Sequence, residues 1–247
     1  MKPGEALLKR LGIEPPAVNP ECTACGAELT YRELDGWDAD GKLLCGACRE
    51  RNREALERER LSAELQRRAD NIQAHLASRC GVPKRYLGCS QETWDGRFPV
   101  ALASWNGDPD TVLLIGPTGT GKTHLAIATL RSWVLRGQDG LYLSMVPALT
   151  LLKSDLERGR ELLAVWAAQP LLVFDDFGRE QRTDYAVDMI RYLVESRYNA
   201  MLPTIVTTNL SDNDLAKYDS PLASRLASGL VLKTTGRDRR IHGGDLE

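Results

Sequence analysis

TVLLIGPTGTGKTHL, residues 111–125, is the stretch from which the rest of the chain is read. Val112 to Ile115 form an apolar run that predicts a buried strand. Directly after it, Gly116-Pro117-Thr118-Gly119-Thr120-Gly121-Lys122-Thr123 fits G-x-x-x-x-G-K-[ST]. Residues without a Cβ let successive backbone N–H groups wrap closely around a phosphate. Beyond Thr123 the pattern becomes helical, so the helix N-terminus and the positive end of its dipole point at the same phosphates. In such a loop Lys122 reaches the β- and γ-phosphates and the Thr123 hydroxyl ligates Mg²⁺, with His124 next in line as a further nucleotide contact. A strand before, a helix after and Lys-Thr in place make a chance glycine turn the weaker reading. The chain is expected to bind a nucleoside triphosphate, ATP, with Mg²⁺.

Downstream, strands and helices alternate. GLYLSM (140–145), residues 171–175, 203–208 and 230–233 read as strands, and residues 146–168 and 183–198 as helical stretches. That alternation predicts an α/β fold, a largely parallel sheet covered by helices on both faces. The second of these strands ends in Leu171-Leu172-Val173-Phe174-Asp175-Asp176, an apolar run closed by two acids, the Walker B pattern. Asp175 is expected to hold Mg²⁺ through water and Asp176 to orient or deprotonate the attacking water. Phe177-Gly178 completes a D-F-G, but the chain has no H-R-D loop and its glycine loop is of Walker A type, which excludes a protein kinase. The strand TIVTT (204–208) delivers Asn209 at its C-terminal end, where ligands bind in open α/β sheets. Arg225, in SPLASRL (220–226), is either a surface arginine at a helix end or a charge available to a phosphate.

Upstream the chemistry changes. Cys22-Thr23-Ala24-Cys25 and Cys45-Gly46-Ala47-Cys48 are two C-x-x-C knuckles at the spacing of a four-cysteine Zn²⁺ site. Residues 29–37 and 41–44 alternate like short strands between them, so the segment resembles a zinc ribbon; a redox pair is the competing reading. So small a segment depends on its metal to fold, and four thiolates close the coordination sphere, which makes the zinc structural. Residues 50–78 hold no Gly or Pro, and Leu61, Leu65, Ala69, Ile72 and Leu76 make one helical stripe. This predicts a long helix, either a solvated spacer or a coiled-coil contact, ending near Cys80-Gly81 and Pro83. The N-terminal twenty residues carry four prolines and predict a loose lead-in with a short helix over 7–11. The organisation expected is thus lead-in 1–20, zinc ribbon 21–49, helical linker 50–80, ATPase domain 81–240 and tail 241–247.

A net charge of −2 and 43% hydrophobic residues exclude a strongly basic nucleic-acid binder overall, though not a local basic face. No run approaches the ~18 apolar residues that span a bilayer, and the first residues show no apolar core of signal-peptide length. A cytoplasmic protein without disulfides is expected, with Cys80 and Cys89 as ordinary thiols.

Taken together, the glycine loop, FDDFG (174–178), RYNAMLPTIVTTNL (197–210) and SRL (224–226) resemble the DnaC/IstB branch of the AAA+ ATPases. Residues 81–96, GVPKRYLGCSQETWDG, resemble the linker by which DnaC-type helicase loaders enter their ATPase domain, which implies Tyr86 or Trp94 near adenine. The resemblance covers 81–240. It implies that Asn209 is the sensor 1 residue and that Arg225 reaches the γ-phosphate held by a neighbouring subunit, so ATP binding would go with a homo-oligomer. It further implies a replicative helicase and single-stranded DNA as partners, the DNA contact falling on residues 146–160 with Lys153, Arg158 and Arg160 unless these are simply solvated. An IstB-like transposition helper on duplex DNA, and a zinc-dependent adaptor with a nucleotide switch, are the alternatives. Two departures stand out: Asp176 replaces the usual Glu, shortening the reach of the base, and the segment after Lys233 is too short for a helical lid. Arg237, Arg239 and Arg240 are then either substitutes for a lid-borne arginine or a solvated basic tail.

Overall fold

The computed structural model describes residues 21–29, 43–236 and 238–239. The helix expected over 7–11, most of the strands expected between the knuckles, Arg237, Arg240 and the tail lie outside the described residues. Two compact units divide the chain, one ending at Glu64 and the other beginning at Leu65.

In the larger unit, β1 (Thr111–Ile115), β2 (Leu141–Ser144), β3 (Leu172–Phe177), β4 (Thr204–Thr208) and β5 (Leu230–Lys233) form a 5-stranded sheet in the order β2-β3-β4-β1-β5. All pairings are parallel; Val112 lies opposite Ile205 on one side and Leu230 on the other. Parallel strands need covered crossovers, and that is why β1 and β4 are buried along their whole length. Side chains alternate across β1. Val112 and Leu114 face one core with Ile127, Leu130, Trp105, Trp133 and Ile205, whereas Leu113 and Ile115 face the other with Met145, Leu149, Trp166, Ile190 and Leu222.

Sequence chemistry sets the helix limits. The helix after the glycine loop runs Lys122–Leu135, and the two helices after β2 run Met145–Ser154 and Leu156–Ala167. Asp155 caps the second of these by accepting from the N–H groups of Glu157 and Arg158. Thr183 caps Asp184–Asn199 through the Ala186 N–H. Asp219 caps Ser220–Leu226 through the Leu222 N–H. Among the described residues no helix follows β5, and none is long and apolar enough to cross a membrane.

The single helix expected over 50–78 is two: Gly46–Asp70 and Ile72–Ser78, separated by Asn71 at φ −119°, ψ 29°. Asn tolerates such a kink because its side chain competes with helical backbone bonding. Only the C-terminal end of the apolar stripe is buried, at Ile72 and Leu76; Leu61 is 57% exposed. Past the second helix the Tyr142 N–H donates to the Cys80 carbonyl at 2.7 Å, tying this segment to the β2 edge.

One buried charge fastens the end of the sheet remote from the strands' C-termini. Arg197, 0% exposed, donates Nε–H to Thr204 Oγ1 and its remaining N–H groups to the carbonyls of Trp166, Ala167, Gln169 and Pro203, at 2.6–3.3 Å. Burial pulls this guanidinium down to about 10, and carbonyl dipoles take the place of a counter-ion.

In the smaller unit the first knuckle closes through Cys22 N–H to Ala27 O and Gly26 N–H to Cys22 O, both 2.8 Å, with Gly26 left-handed at φ 71°. The second knuckle runs into the helix from Gly46, which places Cys48 in its first turn. The core of the described part is Cys22, Leu29, Leu43, Leu44 and Cys48.

Candidate nucleotide site

Because the strands are parallel, everything delivered at their C-terminal ends arrives along one edge, and a cleft of about 280 Å³ opens there. The Walker A loop forms its floor: Thr118, Gly119, Gly121, Lys122 and Thr123 line it, with His124 beyond. Two of the glycines are obligatory. Gly121 sits at φ 93°, and a Cβ there would lie 2.5 Å from the Trp94 ring; a Cβ on Gly116 would lie 2.2 Å from the Thr234 carbonyl oxygen. Thr120 is turned away from the cleft, donating to the Pro117 carbonyl at 2.8 Å and meeting the Thr234 hydroxyl at 2.7 Å. Lys122 curls over its own loop, with Nζ donating to the Gly116 and Pro117 carbonyls at 2.7 Å each.

The two acids at the end of β3 have different surroundings. The β3–β4 register shifts between Phe174 and Phe177, and Asp176 takes a left-handed φ of 61°, so the neighbours part company. Asp175 is 2% exposed; Oδ1 accepts from Thr123 at 2.8 Å and Thr207 at 2.7 Å, and Oδ2 from the Tyr142 hydroxyl at 2.6 Å. Burial raises its carboxyl above the ordinary range, while the three hydroxyls pull the other way. Asp176 lines the cleft. Its N–H donates to Thr207 Oγ1 at 3.0 Å, and its carboxylate accepts from Arg179, also at 3.0 Å. The arrangement brings the Thr123 hydroxyl and the Asp175 carboxylate together beside the phosphate loop, an all-oxygen pair of the kind Mg²⁺ accepts.

Asn209, following β4, lines the same cleft, and its Oδ1 is buried without a hydrogen-bond partner. Buried amides are rarely left so, and an unmet acceptor beside the phosphate loop suits a water or a ligand group. Toward the mouth lie Tyr86, Thr93 and Trp94 from the linker, and the His124 ring sits against Ser90 O at 2.9 Å and Trp94 at 5.3 Å between centroids. Of the three arginines after β5, Arg239 also lines the cleft. Arg225 does not line the cleft: it pairs with Glu195 at 3.3 Å and lies over the Tyr198 ring at 5.9 Å. Sequence reasoning missed Tyr142, Thr207 and Arg179. The threonines of the TIVTT strand and a tyrosine inside GLYLSM were the available signals for the first two.

In the smaller unit, the sulfurs of Cys22, Cys25, Cys45 and Cys48 all lie within 4.8 Å of one another, Cys25 and Cys45 at 3.8 Å. A tetrahedron with Zn–S arms of about 2.3 Å has edges of about 3.8 Å, so the four thiols fit zinc. Two of the thiols are shifted in opposite directions. Chiefly the Cys45 N–H holds Cys22 down to about 6, whereas the hydrogen bond to the Cys45 sulfur pushes Cys48 up to about 12. The Arg51 guanidinium donates to Cys48 Sγ at 3.1 Å.

A family model described as IstB-like ATP binding protein matches residues 93–233. The replicative helicase loader DnaC of Escherichia coli K12 is 25% identical over 202 residues, 76% of this chain and 76% of the loader. A putative ATP-binding protein in an insertion sequence of Mycobacterium tuberculosis is 28% identical over 121 residues, 47% of each chain. Among solved structures, the crystal structure of the DnaC helicase loader superposes with a TM-score of 0.51 and 27% identity, covering 62% of this chain and 100% of that one. The crystal structure of the DnaI, at 22% identity and a TM-score of 0.54, covers 64% and 94% and shares the fold.

Proposed function

The chain belongs to the IstB-like ATP-binding protein family, and from that premise we propose that it is an ATP-dependent, DnaC-like loader of a replicative helicase. The observation that carries this reading is the extent of the likeness: it runs over 202 residues of the loader DnaC, well beyond the family match, whereas the insertion-sequence protein is matched over 121. The transposition helper on duplex DNA is the second reading, favoured by the family's own description.

In this account the loop amides and Lys122 bind the triphosphate, Lys122 leaving its own carbonyls for the β- and γ-phosphates. Thr123, and Asp175 through water, would hold Mg²⁺, which would supply charge neutralisation at the phosphates. The buried, hydroxyl-bonded Asp175 fixes that position. Asp176 takes a proton from the water that attacks the γ-phosphorus as the bond to the bridging oxygen of ADP breaks, and Asn209 aligns that water through its unmet acceptor. Arg225, turned away from its own cleft, reaches the γ-phosphate of a neighbouring copy and stabilises the charge developing there. The zinc knuckles form a partner-facing module, and single-stranded DNA is gripped by the oligomer.

The test is reconstitution. With ATP, the protein is expected to co-elute with the replicative helicase of its own cell and to place it on circular single-stranded DNA. Failure to do so, together with tighter binding to duplex than to single strands, overturns the loader reading in favour of the transposition helper.

A further inference from the structure

Each glycine of the phosphate loop has a protein group packed where its Cβ would be. At Gly116 it is Thr234, at Gly119 the Asp238 carboxylate with Oδ1 at 1.9 Å from the would-be Cβ, and at Gly121 the Trp94 ring. The segment after β5 therefore runs along the outside of the loop. It is laced there by Thr234 N–H to Ile115 O at 2.7 Å, the Thr234–Thr120 hydroxyl pair at 2.7 Å, and Arg239 N–H to Gly119 O at 3.0 Å. Its far end reaches across to the linker. The Arg239 guanidinium lies 4.1 Å over the Trp94 ring, donates to the Asp95 carbonyl at 3.0 Å and pairs with the Asp95 carboxylate at 3.5 Å. Trp94 is thus held between the loop and a cation, and both it and Arg239 stand at the mouth of the cleft.

We propose that Trp94 and Arg239 form a clasp, joining the linker to the segment after β5 across the phosphate loop, and that bound nucleotide leaves only when the clasp opens. The inference rests on the cleft being a nucleotide site. Arg239 is a positioning residue: its hydrogen bonds and ring contact are spent on the protein, and it acts by keeping Trp94 seated on Gly121. A cation over an indole adds to the hydrogen bonds, and because the clasp shares one ring the two partners must act as a unit. Among the described residues no helix follows β5, and this contact does the closing.

Release of a fluorescent ADP analogue from the full chain, chased with excess ATP in the presence of Mg²⁺, tests it. Arg239→Ala and Trp94→Ala are each expected to speed release 3- to 10-fold. The double variant should be no faster than the faster single one, and Trp94→Phe, which keeps a ring under the guanidinium, should stay within twofold of the parent. Release at the parent rate from Arg239→Ala, or multiplied effects in the double variant, overturns the clasp while leaving the nucleotide site intact. A parent chain that holds no nucleotide overturns both.

Discussion

The two units of this chain are stabilised by different chemistry. The larger one has a sheet with an apolar layer on each face, and inside it charged groups such as Asp175 and Arg197 are held by several hydrogen bonds each. The smaller one offers, among its described residues, three leucines and two of its own cysteines as a core. Hydrocarbon alone cannot hold so small a segment, and the four sulfurs gathered within 4.8 Å supply what it lacks once they share an ion. The contrast teaches that one chain poses two stability problems of different kinds, and the experiments below are ways to separate or merge them.

The largest effect expected is from metal removal. One zinc per chain is predicted, and chelation should abolish amide-exchange protection around Cys22 to Gly26 and Cys45 to Cys48 while leaving the β1 and β4 amides protected. Protection that survives in a metal-free sample breaks the comparison at its root. Next comes Lys122→Ala, expected to weaken nucleotide binding by at least ~100-fold, measured by titration, with the zinc content unchanged. Arg225→Ala should leave binding within about twofold yet lower hydrolysis by roughly 10²- to 10³-fold; turnover at the parent rate would show that each cleft is complete by itself.

Arg197→Met removes the shared donor of four carbonyls, and a loss of about 3 kcal/mol is expected for the larger unit alone. Calorimetry would detect it as a lowered transition with unchanged metal content. The smallest effect concerns Asp175. Its folded carboxyl holds a proton more tightly than the unfolded one, so it binds more protons in the native state, and the nucleotide-free unit loses stability as pH rises from the ordinary carboxylate range through the raised value. Asp175→Asn should flatten that decline and raise the melting temperature by about 2 °C while removing Mg²⁺-dependent turnover.

Much of the larger unit was legible in the sequence, because period and punctuation both pointed the same way. The apolar run 112–115, the glycine loop and the amphipathic stretch 183–198 located elements to within a residue or two. The exception was residues 50–78, where an uninterrupted helical composition hid the break at Asn71. A single dihedral choice leaves no trace in composition. At the site, residues next to the motifs were readable and residues that meet them from elsewhere were not. Tyr142 and Thr207 reach Asp175 from neighbouring strands, and Arg239 reaches Trp94 and Asp95 from the far end of the ATPase unit's sequence, 144 residues beyond Asp95. Those encounters are products of sheet order, which no local pattern encodes.

The carbonyl cage around Arg197 has a mechanical meaning. By clamping the last turn before β3 to the start of β4, it makes the floor of the sheet a fixed anvil. A pull exerted at the rim by a bound polymer then cannot be dissipated by strands sliding past one another. It goes into the loops above, where the chemistry is.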